Sequence, residues 1–298
     1  RMGFDEWSLF GWQEGARFHD PMISQNGKPR SNTAGEYGPD VYVDFLSDFM
    51  ERSKQAEQPF FAYYSMALAH DVTDDLSTQV PYVPGKDRWM NYGEMIQSLD
   101  EMVGRVVSKL DDLRLRENTI ILFTGDNGTA VRSKLRHREN GKYEYEQVYS
   151  IQNGQRVRGG KGTLLDIGTN VPLIANWRGK IEPGAQSDAL VDFSDWLPTL
   201  VEVAGGHKEQ ERDGRSFAST LFTVDSPPAR KYAFAEGRGK RAWVRTQKYK
   251  LYNDGKYFDL TIDPFEKEPL TRVNGDAAAK KKFLDNALMR LDLPWNKK

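Results

Sequence analysis

A chain of 298 residues with 38% hydrophobic residues is long enough for one large domain, or for a large and a small one. Its 42 basic and 43 acidic side chains leave a net charge of −1, which gives no reason to expect nucleic acid as a partner. The sequence contains no apolar run of about 18 residues, so no membrane span is predicted. Without any cysteine, disulfides and thiolate metal sites are excluded.

The first half of the sequence predicts a strand, a helix and a second strand. Residues 1–35 are rich in aromatic residues, Gly and Asn without a period, which predicts connecting loops. Asp40 is expected to cap a first helix with a regular apolar stripe. An apolar strand at 60–65, a helix at about 87–113 and a strand at 120–124 then form a βαβ unit, which is normally right-handed and parallel.

Oxygen-bearing side chains follow the second of these strands directly. Asp126 and Asn127 come just after residues 120–124, and hard oxygen donors suit a divalent cation. In open parallel sheets ligands collect at the carboxyl ends of strands, so a cation is predicted here, although an ordinary Asp-Asn-Gly turn would have the same sequence. The same geometry places His70, five residues past the first strand, on the same edge of the sheet.

A long polar segment follows at residues 128–160. It contains two basic groups of residues, at 132–138 and 156–158. Loops of this length within a compact domain are usually functional or disordered. The basic group at 132–138 is by default a solvated loop, and the alternative is a rim that recruits an anionic substrate.

The last part of the sequence predicts a small subdomain. Residues 171–177 form a strand, and Ser194 is expected to cap a short helix that ends at Gly205-Gly206. From about residue 211 short β-like pieces separated by Gly, Asn and Asp predict an antiparallel meander with a hairpin at Asn253-Asp254-Gly255, followed by an amphipathic helix. The predicted domains are therefore an α/β core at 1–210 and a subdomain at 211–298.

Five segments, taken together and in order, resemble the sulfatase family of the alkaline-phosphatase superfamily. They are Pro59-Phe60-Phe61 through Ala69-His70, Thr124-Gly125-Asp126-Asn127-Gly128, Gly159-Gly160-Lys161-Gly162-Thr163, Val171-Pro172-Leu173-Ile174 and Asp195-Trp196-Leu197-Pro198-Thr199-Leu200. Their order and spacing agree with the family over about residues 35–215. The resemblance implies an α/β fold with an alkaline-phosphatase-like parallel or mixed sheet flanked by helices, here with the small antiparallel subdomain added.

The resemblance also implies roles for four residues. Asp126 and Asn127 would bind a divalent cation, usually calcium, with magnesium possible. His70 and Lys161 would be catalytic and substrate-binding residues, holding the sulfate group and stabilising charge on the leaving oxygen. Composition alone leaves Lys161 open as a solvated turn residue, and a lone loop histidine is commonly structural. One departure is Asn170, which stands where the family usually carries a basic residue.

The family's nucleophile has no counterpart in this sequence. Sulfatases oxidise the Cys or Ser of a C/S-x-P-x-R motif to formylglycine, and they also carry an early pair of aspartates. The only matching string, Ser226-Pro227-Pro228-Ala229-Arg230, lies on the wrong side of the metal pair and is interpreted as a coincidental loop. We therefore expect a sulfatase without its first third. Formylglycine would lie in the missing N-terminal segment, the cation site would be weak, and this chain alone would be inactive.

The expected function is hydrolysis of the sulfate ester of a sulfated carbohydrate or an aryl sulfate, in the periplasm or outside the cell. Expected partners are a sulfated small molecule or glycan, and either the missing N-terminal segment or a second copy, with no nucleic acid and no membrane. A phosphodiesterase or phosphonate hydrolase of the same superfamily is one alternative, with zinc or manganese and a Thr or Ser nucleophile. A non-catalytic module that binds sulfated glycans is another.

Overall fold

The computed structural model describes residues 3–11, 17–31, 33–71, 91–137, 140, 142–152, 154–206, 213–291 and 293. These residues belong to two compact units. The first comprises Arg1–Asn118 and Ala130–Gly159, and the second comprises Thr119–Thr129 and Gly160–Lys298. The predicted domain division at residue 210 stays a prediction. In the described ranges, no helix combines the length and the apolar character that crossing a bilayer requires.

Both strands and helices occur along the chain, as expected for an α/β protein. The strands are β1 (Ser8–Phe10), β2 (Ile23–Gln25), β3 (Lys28–Pro29), β4 (Ile121–Thr124), β5 (Arg132–His137), β6 (Tyr143–Gln147), β7 (Tyr149–Gln152), β8 (Gln155–Arg158), β9 (Leu173–Asn176), β10 (Ala233–Gly237), β11 (Arg241–Arg245), β12 (Tyr249–Tyr252) and β13 (Tyr257–Asp259). The α-helices are α1 (Gly38–Gln55), α2 (Tyr92–Asp112), α3 (Asp166–Thr169), α4 (Trp196–Val203), α5 (Ala218–Phe222) and α6 (Gly275–Arg290).

The first unit is built on α1 and α2. Helix α2 begins with a capping box, in which the Asn91 side-chain oxygen accepts the Glu94 N–H and the Glu94 carboxylate accepts the Asn91 N–H. The predicted helix is thus confirmed from Tyr92 onward, and its start at 87–90 lies outside the described residues. The prediction that Asp40 caps α1 is wrong, because Tyr37 occupies the N-cap position and the helix begins at Gly38, with Pro39 in its first turn. Asp40 lies inside that turn, where its carboxylate accepts a hydrogen bond from Arg105 of α2.

Two predictions of irregular structure in the first unit are wrong. Residues 1–35 contain the antiparallel sheet β1-β2-β3, whose strands of two or three residues are too short to display a period in the sequence. The polar segment forms two antiparallel hairpins, β5-β6 and β7-β8. Strands that present charged residues to solvent lack the apolar alternation on which strand prediction depends.

The predicted parallel βαβ unit is also wrong. Residues 60–65 form no strand in the described structure, and β4 pairs antiparallel with β9. A run of buried apolar residues predicts a strand without specifying the direction of its neighbour, and every pairing among the described strands is antiparallel.

The second unit contains the predicted meander. Strands β10 to β13 form a four-stranded antiparallel sheet, and α6 packs on β11 and β12 through Val244, Leu251 and the fully buried Leu284. The hairpin at Asn253-Asp254-Gly255 is confirmed, with Gly255 at a φ of +88°. The predicted cap at Ser194 is wrong, because the Asp192 carboxylate accepts the Ser194 N–H and starts a 3-10 turn that leads into α4.

An exposed aromatic patch lies on the first unit. Phe61 and Tyr63 are 60% and 69% exposed, and the Phe4 ring stacks on both at centroid distances of 6.1 and 6.4 Å. Adjacent exposed aromatic rings are unusual on a soluble surface and mark a region that associates with apolar groups.

We expect the double substitution Phe61→Ser and Tyr63→Ser to lower the fluorescence of the apolar dye ANS bound to this chain. Melting temperature should change little, because neither ring is buried. The matched control is Phe18→Ala, at a buried ring of the same unit, which should lower the free energy of unfolding by about 3–5 kcal/mol. Unchanged dye fluorescence in the double variant would show that the patch does not bind apolar molecules.

Candidate functional site

Asp126 and Asn127 lie where β4 ends. The Asp126 side chain is exposed and that of Asn127 is half-buried. Strand β4 is held against β9 up to Thr124, which lies opposite Leu173 and whose hydroxyl donates to the Pro172 carbonyl over 2.8 Å. Because this pair is antiparallel, the end of β4 and the start of β9 are neighbours, so both connecting segments leave from the same end of the sheet.

Lys161 lies on a tight turn between the last hairpin and α3. Its side chain is exposed, and its backbone N–H donates to the Thr129 carbonyl over 2.9 Å. The turn is closed by Thr163, whose N–H and hydroxyl both donate to the Gly160 carbonyl, over 3.0 and 2.7 Å. The Lys161 side chain therefore extends from a turn that is fixed by hydrogen bonds.

Close backbone packing joins the two segments. The Gly128 N–H donates to the Gly168 carbonyl over 3.0 Å, and a Cβ added to Gly128 would collide with the Ile167 carbonyl oxygen. Only glycine allows this approach. The structure therefore brings Asp126, Asn127 and Lys161 together on two joined segments of the second unit.

His70 belongs to the first unit and its side chain is exposed. Its Nδ1 lies 2.6 Å from the carbonyl oxygen of Asp71. A carbonyl oxygen only accepts, so Nδ1 carries a proton and the lone pair of the neutral ring lies on Nε2. The Asp71 carboxylate in turn accepts the Ser133 hydroxyl over 2.6 Å and the Lys134 N–H over 3.0 Å.

The donor set fits a hard cation in type but falls short in number. Carboxylate and amide oxygens suit calcium or magnesium, and Asp126 and Asn127 provide them. Calcium takes about 6–8 oxygen ligands, whereas the described residues contain no group of three or more His, Cys, Asp or Glu side chains placed to hold a metal ion. The predicted cation site stays a prediction, and no catalytic step is derived through a metal.

Sequence reasoning missed two residues that support these segments, Asp71 and Lys250. Both act through contacts with residues far along the chain, and neither lies in a recognisable motif. Residues 226–230, which resemble the nucleophile motif, contain an arginine in a buried ion pair. The Arg230 guanidinium donates from Nε and Nη2 to the carboxylate of Asp195, which is 1% exposed. That ion pair agrees with the interpretation of these residues as a coincidental loop.

Comparison with protein families gives one description. A family model described as Sulfatase matches residues 1–206. Human arylsulfatase A (Homo sapiens) is 31% identical over 232 residues, which cover 75% of this chain and 42% of that protein. The N-acetylgalactosamine-6-O-sulfatase of Bacteroides thetaiotaomicron is 28% identical over 264 residues, 78% of this chain and 47% of that protein. The chain thus spans less than half the length of these curated relatives.

Solved structures show the same fold. BT4656 in complex with its substrate D-glucosamine-2-N,6-O-disulfate superimposes with a TM-score of 0.65 at 20% identity, covering 97% of this chain and 76% of that chain. Ps i-CgsB in complex with k-i-k-neocarrahexaose superimposes with a TM-score of 0.65 at 21% identity, covering 96% of this chain and 65% of that chain. These likenesses confirm the predicted α/β fold.

The packing at Gly128 generates a prediction about stability. We expect Gly128→Ala to lower the free energy of unfolding by about 1–3 kcal/mol, because the added methyl group displaces the Ile167 carbonyl. Urea unfolding followed by circular dichroism measures this change. The control is Gly104→Ala, inside α2 with open space around it, which should be neutral or stabilise by up to about 1 kcal/mol. Equal stability of Gly128→Ala and wild type would contradict the packing described.

Proposed function

Because the chain belongs to the sulfatase family, we propose that it takes part in the hydrolysis of sulfuric esters. The observation that carries the proposal is the joining of the Asp126-Asn127 segment to the Lys161 turn through the Lys161–Thr129 and Gly128–Gly168 backbone hydrogen bonds. In our proposal the Lys161 ammonium and the oxygen atoms of Asp126 and Asn127 act on the same substrate group. An anionic ester group suits this role, since the ammonium attracts its oxygens.

His70 and Lys161 have distinct parts in this proposal. The Lys161 ammonium binds a sulfate oxygen and offsets its charge. His70, with Nδ1 directed to the Asp71 carbonyl, presents Nε2 outward, and in the protonated ring that atom donates a proton to the leaving oxygen. Asp126 and Asn127 would contribute to a calcium site, with magnesium possible, and a bound cation would offset charge on the ester oxygens.

We propose that the nucleophile comes from a polypeptide segment outside these 298 residues. The sequence has no cysteine, and its one S-x-P-x-R string ends in the buried Arg230 that pairs with Asp195. By the same proposal this chain alone does not turn over. A periplasmic or secreted location, expected from the resemblance, belongs to the proposal as well.

The substrate class that we propose is a sulfated glycan. Two hairpins of the first unit carry cations stacked on tyrosine rings, and we call these the cation–aromatic faces. On β5-β6, Arg132 lies 4.2 Å from the Tyr145 ring centroid, and on β7-β8, Arg156 lies 3.8 Å from that of Tyr149. Within the described ranges, neither arginine has a carboxylate at ion-pair distance. Aromatic rings stack on sugars, and unpaired cations attract sulfate groups.

The function is tested by expressing the whole protein that the gene encodes and assaying release of inorganic sulfate. Substrates are 6-O-sulfated amino sugars, which resemble those named for the relatives, and a generic aryl sulfate. We expect Lys161→Met and His70→Ala each to lower kcat/KM about 100-fold or more, because each removes a charge or proton donor used in the transition state. Ion chromatography measures the sulfate released.

The matched control is Lys180→Met, an exposed lysine of the same unit, which should leave kcat/KM unchanged. Release of phosphate from phosphodiesters or phosphonates in place of sulfate would favour the phosphodiesterase alternative. Binding of sulfated glycans without turnover by the longer protein would favour the non-catalytic alternative.

The cation–aromatic faces generate a separate prediction on binding. We expect the triple variant Arg132→Ala, Lys134→Ala and Arg156→Ala to bind a sulfated oligosaccharide about 10-fold more weakly than wild type, since each surface ion pair with a sulfate group contributes about 0.5 kcal/mol. The control triple variant Lys28→Ala, Lys54→Ala and Arg114→Ala carries the same change of charge at exposed positions elsewhere on this unit. Calorimetry with sulfated and desulfated oligosaccharides measures both, and equal weakening by the two triples would rule out a specific surface.

A further inference from the structure

A fully buried lysine lies at the centre of the second unit. Lys250, on β12, has 0% of its surface exposed. Its ammonium donates to three acceptors, the Leu164 carbonyl at 2.7 Å, Glu266 Oε1 at 2.6 Å and Asp166 Oδ1 at 3.3 Å. Three N–H groups meet three acceptors, so the hydrogen-bonding capacity of the ammonium is filled.

Two of these acceptors belong to the segment that begins with Lys161. Leu164 and Asp166 follow Lys161 by three and five residues, and other residues of the meander hold them too. The Tyr252 hydroxyl lies 2.5 Å from Glu266 Oε2 and 3.1 Å from the Leu164 carbonyl oxygen, and Arg245 forms an ion pair with Asp166. The Lys161 turn is therefore fixed at one end by Thr129 and at the other by the meander.

A buried ammonium is a costly way to hold a segment if stability is the only requirement. Burial lowers the pKa of Lys250, and the carboxylates of Asp166 and Glu266 act in the opposite direction. Apolar residues of similar volume often replace buried ion pairs without loss of stability. Unlike an apolar residue, the ammonium makes directional hydrogen bonds, which fix the positions of the Leu164 carbonyl and the Asp166 carboxylate relative to each other.

We propose that Lys250 is a positioning residue, which holds residues 161–166 in the conformation that presents the Lys161 side chain. The Lys250 ammonium also makes a cation–π contact with the Trp243 ring, whose centroid lies 4.7 Å away. The C-terminal meander thereby becomes part of the substrate site without touching the substrate. The expected effect of Lys250 on sulfate release rests on the proposed function of Lys161, whereas its effect on the conformation of residues 161–166 does not.

The test is hydrogen exchange on the protein expressed from its complete gene, comparing wild type with Lys250→Met. The informative amides are those of Lys161 and Thr163, which are bonded to the Thr129 and Gly160 carbonyls. We expect the exchange rates of these two amides to rise at least 10-fold more than those of the amides of β10 to β13. Lys256→Met, an exposed lysine next to the same sheet, should leave all rates unchanged.

Restoring an ammonium group at residue 250 by chemical modification distinguishes a role in positioning the Lys161 turn from a role in packing alone. These 298 residues contain no cysteine, so Lys250→Cys introduces a single thiol into them. Any cysteine elsewhere in the protein is substituted beforehand. Alkylation of the unfolded variant with 2-bromoethylamine, followed by refolding, then restores an ammonium group at residue 250. Rescue of the slow exchange of the Lys161 and Thr163 amides is expected. If Lys250→Met does not fold, Tyr252→Phe removes only the tyrosine's hydrogen bonds and should give a smaller increase confined to the same amides.

Two results would overturn the proposal. One is unchanged exchange at Lys161 and Thr163, and the other is an equal increase throughout the unit, which would make Lys250 a stabilising residue only. Sulfate release is measured in parallel and should fall at least 10-fold in Lys250→Met. Absence of sulfate release in wild type would count against the proposed function, whereas the exchange rates would still decide the part played by Lys250.

Discussion

The close contact of Gly128 with Ile167 and Gly168 is the constraint on which the candidate site depends. A carbonyl oxygen occupies the place that any side chain at residue 128 would need, so the backbone after β4 lies directly against the backbone of α3. The antiparallel pairing of β4 with β9 makes that approach possible, because it brings the chain after Thr124 and the chain before Leu173 to the same end of the sheet. The backbone segments that carry Asp126, Asn127 and Lys161 are thereby joined.

The sequence predicted the elements whose signals are local. Helix α2, with its regular apolar spacing, and the meander, with turn residues at short intervals, formed as expected. Helix caps were less predictable, since Asp192, Ser194 and Asp195 lie within four residues of one another and each can accept a backbone N–H. Tertiary contacts add to the local ones, because the Asp195 carboxylate accepts the Asp192 N–H and also pairs with Arg230.

The residues of the candidate site also differ in how far the sequence alone could predict them. Asp126 and Asn127 stand out because they follow an apolar strand, whereas Lys161 between two glycines required the family resemblance. Lys250 gave no signal at all. A lysine in a strand normally faces solvent, but all four residues of β12 are buried, since α6 covers one face of the meander and Leu164 packs with the cluster on the other. Burial on both faces depends on residues far away in the sequence.

Buried and exposed ion pairs contribute differently to this fold. Exposed pairs such as Arg52 with Asp48 contribute about 0–1 kcal/mol, because water screens them. Removing one partner of a buried pair costs about 3–5 kcal/mol, since the other charge stays desolvated. Among the described residues of the second unit, two ion pairs are buried: Lys250 with Glu266, which follows the meander in the sequence, and Arg230 with Asp195, which precedes it. Their energies therefore oppose alternative arrangements of these segments more than they add to stability.

Hairpin β5-β6 shows how one element can serve two purposes. Side chains alternate between the faces of a strand, so neighbouring residues of β5 point in opposite directions. Ser133, 1% exposed, donates to the Asp71 carboxylate and so supports the residue that holds Nδ1 of His70. Arg132 and Lys134 lie on the opposite face, above tyrosine rings. A shift of one residue in the hairpin register would bury the cations and expose the serine. The support of His70 and the exposure of the cations thus depend on the same pairing of strands.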